Sequence, residues 1–305
     1  MTPDAIAAAL GVRAARRGGR IQSLWSGYGE LVRMHLDDGR SVVVKHVRPP
    51  EAAPGDTGHS RKLRSYAVEA AWYRGFAPRL PGDVRVPRLL AEGGGGEQRW
   101  MVLEDLDAAG YPERRRGLSE ADLTAALRWL AGLHATFLGT EPAGLWPRGT
   151  YWHLDTRPDE LARMPAGVLR DAAGRLDEVL GGARFQTVVH GDAKAANLCF
   201  GPAGVAAVDF QYTGGGPGIV DVAYLLSCMS PGWRAQHTDR ALDTYFSALR
   251  GWLGPRGAAV EGEWRALYDV AWADFARFLA GWGRLSRRVP EPERVAAGVA
   301  QVMAS

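Results

Sequence analysis

Two short apolar runs, residues 187–190 and 205–210, stand in the middle of a region that otherwise reads as helix. Runs this brief, bounded by turn formers, have the length of strands and not of helices. Around them lie His190, Asp192, Lys194, Asn197 and Asp209, five polar side chains within twenty residues. The pattern calls for a small sheet inside a helical body, with polar groups carried on the turns. After Asp221 the chain reads as helix alone.

The first hundred residues have a different texture. Thr2, Pro3 and Gly11 mark the cap, first position and end of a short helix over residues 1–10. Strands are expected at 21–25, 30–36 and 41–47, the last two joined by the hairpin signal Asp37-Asp38-Gly39. Residues 49–59, rich in Pro, Gly and Ala, read as a loop, and 63–76 as a helix. A hairpin follows, with strands at 89–91 and 98–103 around the Gly93–Gly96 run. Ser119, Glu120 and Asp122 open a helix to Phe137, with Leu123, Leu127, Leu130 and Leu133 on its apolar side. Another helix is expected over 159–180. The fold class is thus α+β and bilobal: a small antiparallel-sheet N-lobe (1–107) and a larger, mostly helical C-lobe (108–305).

Composition excludes several classes. Apolar residues make up 46% and charged residues 23% of 305 positions, as in an ordinary globular chain. No apolar run approaches the roughly 20 residues that span a bilayer, and residues 1–10 lack the basic start of a signal peptide. The cytoplasm is the expected location, with no membrane partner. A net charge of +3 is too mild for a nucleic-acid binder. Two cysteines, Cys199 and Cys228, cannot build a disulfide framework or a zinc cluster, and both sit among apolar residues as core thiols. A monomer or homodimer is expected. Only Lys45, Lys62 and Lys194 among 37 basic residues are lysine. A chain so reluctant to use lysine places it where a compact ammonium is wanted.

Asp192 and Asn197 are spaced D-x-x-x-x-N, and Asp209 follows on the next strand. A carboxylate, an amide and a second carboxylate suit Mg2+, which takes oxygen ligands and keeps several waters. With Asn197 and Asp209 as metal ligands, Asp192 is left to accept a proton. That division of labour is what phosphoryl transfer to a hydroxyl requires.

These motifs resemble the small-molecule branch of the protein-kinase-like fold. His190-Gly191-Asp192 with Asn197 is similar to the catalytic loop of the aminoglycoside phosphotransferase and choline kinase families, and Asp209-Phe210-Gln211 stands where protein kinases carry Asp-Phe-Gly. The closer likeness is to the ecdysteroid-kinase-like family, in HGDAKAANLCF, in VAAVDFQYTGGGPGIVDVAYLL and in RKLRSYAVEAAWYR. It covers most of residues 20–230. It implies a kinase using ATP and Mg2+, with Lys45 on the phosphates and Glu69 as its ion-pair partner. Gly27, Tyr28 and Gly29 take the place of the nucleotide-covering loop. Residues 101–106, with Glu104 and Leu106, match the hinge where backbone groups meet adenine, which makes 1–107 the nucleotide-binding lobe and leaves the catalytic loop and acceptor region to 108–305. Lys194 contacts the transferred phosphate, Asp221 braces the catalytic loop, and His190 holds that loop by hydrogen bonding. Gln211 in place of glycine, and no Ala-Pro-Glu, argue against a protein kinase.

The acceptor is expected to be a small-molecule hydroxyl compound. Residues 211–305 carry nine Asp/Glu against ten Arg and twelve aromatic residues, which favours an apolar or polycyclic alcohol over a polycation. Tyr151, Trp152, His153 and Asp155 are candidates for the acceptor side, and Gly214–Gly216 for the rim. Trp264, Tyr268, Trp272, Phe275 and Trp282 recur on one helical face, as core residues do. Competing readings are a nucleotide-binding pseudokinase, an antibiotic-modifying phosphotransferase and a metal-dependent hydrolase on His190 and Asp192. The last lacks nearby histidines, and no G-x-S-x-G elbow is present for a serine hydrolase.

Overall fold

The computed structural model describes residues 2–51, 56–282 and 291–304; Met1 and residues 52–55, the latter part of the expected 49–59 loop, lie outside the described residues. In chain order the elements are α1 (Pro3–Leu10), β1 (Ala15–Ser23), β2 (Gly29–Leu36), β3 (Ser41–Val47), α2 (Thr57–Gly75), β4 (Leu89–Gly95), β5 (Gln98–Glu104), β6 (Glu113–Arg114), α3 (Glu120–Thr136), α4 (Pro158–Arg163), α5 (Val168–Asp171), α6 (Ala173–Gly181), β7 (Thr187–Val189), β8 (Leu198–Gly201), β9 (Gly204–Ala207), β10 (Gly214–Gly216), α7 (Ile219–Ser227), α8 (Pro231–Leu253), α9 (Gly257–Ala266), α10 (Tyr268–Trp282) and α11 (Pro292–Met303). They fall into two compact units. One draws on residues 1–79, 85–114 and 199–211, the other on 80–84, 115–198 and 212–305. The division does not follow a single cut at 107, because β8 and β9 form a sheet with β6.

In the first unit, α1 is built as its sequence dictates. The Thr2 side chain accepts from the Ala5 N–H, Pro3 opens the helix, and Gly11 closes it in the left-handed region. The main sheet has the order β1-β2-β3-β5-β4, and every pairing is antiparallel. Strand alternation sorts β3 into two faces. Val42 and Val44 join Ile6, Val32, Met34, Leu36 and Val102 in one core cluster. Lys45 is of the opposite parity and reaches α2.

Two expectations for this unit need correction. β1 begins at Ala15 and not at residue 21, with register shifts near Arg17 and Arg20. It is an edge strand with almost every side chain solvated, so no apolar alternation announces it. α2 begins at Thr57 and not at residue 63, because the Asp56 side chain caps it by accepting from the His59 N–H at 2.9 Å.

The second unit is mostly helical. α3 starts on the expected capping box, with Ser119 and Asp122 each bonding the other's backbone N–H. It packs along α8, while α10 packs against α4, α6, α7 and α11. The single helix expected over 159–180 is three short ones. Pro165 lacks an N–H and forces Met164 into extended backbone, and Gly167 adopts a φ of 149° before α5. Gly214–Gly216 form strand β10, paired with β7. A Cβ on Gly214 would lie 2.2 Å from the Trp146 carbonyl oxygen, so glycine is required. Trp264, Tyr268, Trp272 and Phe275 are buried core residues; Trp282 is half-buried. No helix among the described residues is long and apolar enough to cross a membrane.

Candidate active site

In the first unit the structure brings Lys45, Glu69 and Asp209 together. Lys45 Nζ donates to Glu69 Oε2 at 2.6 Å and lies 3.7 Å from Asp209 Oδ1. Lys45 and Glu69 are 5% and 1% exposed, so little water screens the pair. Burial pushes the Glu69 carboxyl up, and against the lowering effect of Lys45 it stands at about 7. Burial works against the Lys45 ammonium, yet the charges of Glu69 and Asp209 outweigh it and hold its pKa above the usual lysine value.

Asp209 is placed by its neighbour. Phe210 is fully buried, stacks on Trp72 at 4.4 Å between ring centroids and meets Tyr73 edge-on. With that ring fixed, Asp209 is held at a φ of 67°, in the left-handed region a non-glycine residue seldom occupies. Its Oδ1 is buried and has no hydrogen-bond partner. Gln211 accepts from Ser65 Oγ on α2 at 3.2 Å.

In the second unit the structure brings Asp192, Lys194 and Asn197 together. Asp192 Oδ2 accepts from Lys194 Nζ at 2.7 Å and from Asn197 Nδ2 at 2.9 Å. Asn197 Nδ2 also donates to the Asp192 carbonyl at 2.9 Å. Both partners are acceptors, so the amide nitrogen must face them and the amide oxygen points the other way.

The loop itself hangs on Asp221, which is wholly buried. Asp221 accepts from the backbone N–H of His190 at 2.6 Å and of Gly191 at 2.9 Å. Its Oδ2 lies 3.1 Å from His134 Nε2, whose Nδ1 lies 2.8 Å from the Tyr245 hydroxyl. A carboxylate only accepts, so Nε2 carries the proton and Nδ1 accepts from Tyr245. His190 Nδ1 accepts from the Asp192 N–H at 3.2 Å. Its ring is therefore engaged in shaping the loop, as the sequence suggested.

The other expected nucleotide-site residues are held within the first unit. Tyr28 is buried, and its hydroxyl lies 2.6 Å from His59 Nδ1, so its ring is turned into the unit. Burial pushes its phenol pKa up, and Asp56 and Glu97 add to the rise. Gly27 adopts a φ of 76°, and a Cβ on Gly29 would fall 1.9 Å from the His46 carbonyl oxygen. Close pairing of β2 with β3 thus already requires glycine at 29. The Glu104 carboxylate is held by Arg85 at 2.6 Å and by the Arg88 N–H at 3.2 Å. Burial pushes its pKa up, but these partners win and hold it low. Leu106 is buried with Tyr111, Cys199 and Ala206, and its carbonyl accepts from the Tyr111 N–H.

Of the residues expected on the acceptor side, Trp152 Nε1 donates to Asp274 at 2.9 Å and His153 lies 2.9 Å from Asp177 Oδ1, both buried. Asp155 is exposed. Of these four, Tyr151 lies beside the 190–197 loop: its N–H donates to the Gly191 carbonyl, and Lys194 Nζ sits 5.8 Å from its ring centroid. Burial pushes its phenol up to about 12. The Cys199 thiol is pushed by burial to about 11, and burial also raises Cys228, so neither is a nucleophile at neutral pH.

His134 and His59 went unremarked in the sequence. Their partners stand 87 and 31 positions away, and no spacing rule links them. Asp56 as a helix cap was the one available clue to His59.

The family model for phosphotransferase enzymes matches residues 20–260. The chain belongs to the phosphotransferase enzyme family. No curated protein sequence matches this phosphotransferase. Among solved structures it is similar to a choline kinase from Cryptosporidium parvum, with a TM-score of 0.54, 10% identity and coverage of 95% of this chain and 88% of that one. It is also similar to a macrolide 2'-phosphotransferase from Brachybacterium faecium, with a TM-score of 0.53, 16% identity and coverage of 93% and 98%. An ethanolamine kinase from Plasmodium vivax gives a TM-score of 0.53, 11% identity and coverage of 95% and 82%. At such identities these likenesses establish the fold: α+β, of the protein-kinase-like type.

Each unit offers one oxygen donor of the kind a hard divalent cation takes. Asp209 offers a buried carboxylate oxygen with no hydrogen bond, and Asn197 an amide oxygen turned away from Asp192. No group of three His, Cys, Asp or Glu among the described residues forms a metal cage. An ion bound by either donor would complete its shell with water and phosphate oxygens, as Mg2+ does.

Proposed function

We propose that this phosphotransferase moves the γ-phosphoryl group of ATP to a hydroxyl of a small molecule, with Mg2+ as cofactor. The observation that carries the reading is the catalytic loop. Asp192 is oriented through one carboxylate oxygen by Lys194 and Asn197, on a loop fixed from below by Asp221. A carboxylate held this way suits the base of the reaction. The acceptor oxygen attacks the γ-phosphorus, the bond to the bridging oxygen breaks, ADP departs, and the hydroxyl proton passes to Asp192. Lys194 offsets charge on the moving phosphoryl group. Lys45, kept in place by Glu69, holds the inner phosphates. Asn197 and Asp209 would hold Mg2+, which supplies charge neutralisation on the phosphates when bound. Catalysis in this scheme is positioning plus electrostatics.

The acceptor reading is an apolar or polycyclic alcohol. It is supported by the half-buried rings of Tyr151 and Tyr212, which stand with the Arg157 guanidinium 5.6 and 5.9 Å from their centroids. The protein's own cation already occupies these ring faces, which disfavours a polycationic acceptor. The narrower ecdysteroid-kinase-like reading and a cytoplasmic location belong to the same proposal.

The test is a screen of sterols, macrolides, aminoglycosides and simple amino alcohols with ATP and Mg2+, read as mass gain of one phosphoryl group. Asp192→Asn should cut turnover by about 10²–10⁴-fold while leaving Mg·ADP affinity unchanged. Equal loss of both would make Asp192 structural, and phosphate release without a phosphorylated product would point to hydrolysis.

A further inference from the structure

Tyr28 poses a question that the nucleotide reading leaves open. It lies in the turn between β1 and β2, yet its ring is buried in a cluster with Leu24, Val47 and Tyr66. A phenylalanine would fill that apolar slot equally well. The hydroxyl adds a single contact, 2.6 Å to His59 Nδ1. A buried hydroxyl without a partner is costly, so the tyrosine is tolerable here because His59 meets it.

His59 is itself fixed. It lies in the first turn of α2, where its N–H donates to the Asp56 cap, and its Nε2 stands 3.5 Å from Glu97 Oε2 at the β4–β5 turn. Lys62, one turn further along α2, places Nζ 4.3 Å from the Tyr28 ring centroid. The main chain around Tyr28 is tied as well, with Arg48 N–H donating to its carbonyl and Leu24 N–H to that of Gly29, both at 2.8 Å. Beyond this anchor the turn changes character. Ser26 and Gly27 are two successive left-handed residues, and Trp25 at the tip is 78% exposed. The turn thus has a fastened base and a solvated tip.

We propose that Tyr28 is a positioning residue: its bond to His59 fastens the β1–β2 turn to α2, the helix that carries Glu69. The turn and the Lys45–Glu69 pair are then set as one piece before nucleotide arrives. A turn that is already ordered spares binding the entropy of ordering it. The inference rests on the nucleotide reading of this unit given above.

The experiment measures the Kd of a fluorescent ADP analogue (N-methylanthraniloyl-ADP with Mg2+) for the wild type, Tyr28→Phe, His59→Leu and the double variant. Hydrogen exchange of the Leu24 N–H is followed in each, and melting temperatures confirm that each is folded. Tyr28→Phe and His59→Leu should each raise Kd about fivefold, equivalent to about 1 kcal/mol, and the double variant no further. Exchange at Leu24 should quicken in all three. A folded Tyr28→Phe with wild-type Kd and wild-type exchange overturns the proposal, as does a double variant whose losses simply add. A folded wild type that binds no ADP analogue overturns the nucleotide reading, and this inference with it. Tyr28→Phe keeps the ring and its packing, so a purely structural role would leave Kd and exchange unmoved.

Discussion

Replacing Lys45 by methionine removes the cation that stands beside Glu69 and Asp209. Glu69 is then left almost wholly buried without its partner. An uncompensated buried charge costs about 3–5 kcal/mol, and the carboxyl can escape that cost by taking a proton. In the wild type, burial already lifts Glu69 to about 7 while Lys45 pulls it down. In the variant only the raising influences, burial and Asp209, remain, so the group titrates above 7. A folded pKa raised above the unfolded value means stability that is complete below the unfolded pKa, near 4.5, and lost as pH rises toward the folded one. The loss is about 1.4 kcal/mol per pH unit, or about 2.7 kcal/mol between pH 5 and 7. Lys45→Met/Glu69→Gln lacks the titrating group and shares every other one. Urea unfolding of the two variants at pH 5, 6 and 7 therefore isolates Glu69. Their difference in unfolding free energy should shift by that amount against Lys45→Met, and in Lys45→Met the decline should continue above pH 7. Parallel pH profiles would refute the reasoning, since Glu69 would then be solvated in the variant and its burial of no consequence.

The second unit offers two further tests. Asp221→Ala strips the acceptor from the N–H groups of His190 and Gly191 and from His134 Nε2, all buried. At about 1–3 kcal/mol per orphaned buried group, urea denaturation should show a loss of at least about 3 kcal/mol, and a loss below about 1 would mean that the loop finds other partners. Gly191→Ala puts a methyl 1.9 Å from the Tyr212 carbonyl oxygen at a residue with a φ of 78°. The displaced neighbour Asp192 should lose about 100-fold in turnover in a steady-state assay; an active Gly191→Ala enzyme would show that the loop adjusts without moving the carboxylate.

Local rules were enough for much of this protein, and the reason is range. Caps, turns and strand parity act within a few residues. Thr2, Ser119 and Gly11 therefore announced their helix ends, and Val42–Val44 with Lys45 announced a strand with two different faces. The same locality failed for β1, whose solvated edge carries no pattern, and for 159–180, where Pro165 and Gly167 divide the expected helix. The clustering of His190, Asp192, Lys194 and Asn197 could be read because all four share one loop.

Tertiary structure alone decided what surrounds those groups. That Asp221 takes its third contact from His134, that Phe210, next to Asp209, stacks on Trp72, and that Tyr28 faces inward to His59 all depend on residues brought together from afar. Burial likewise acts on the titration of Glu69 and Glu104, whose partners then divide them. A residue type states which charge or hydrogen bond a position can make, but the exposure and partners that set its pKa and its use exist only once distant segments have packed.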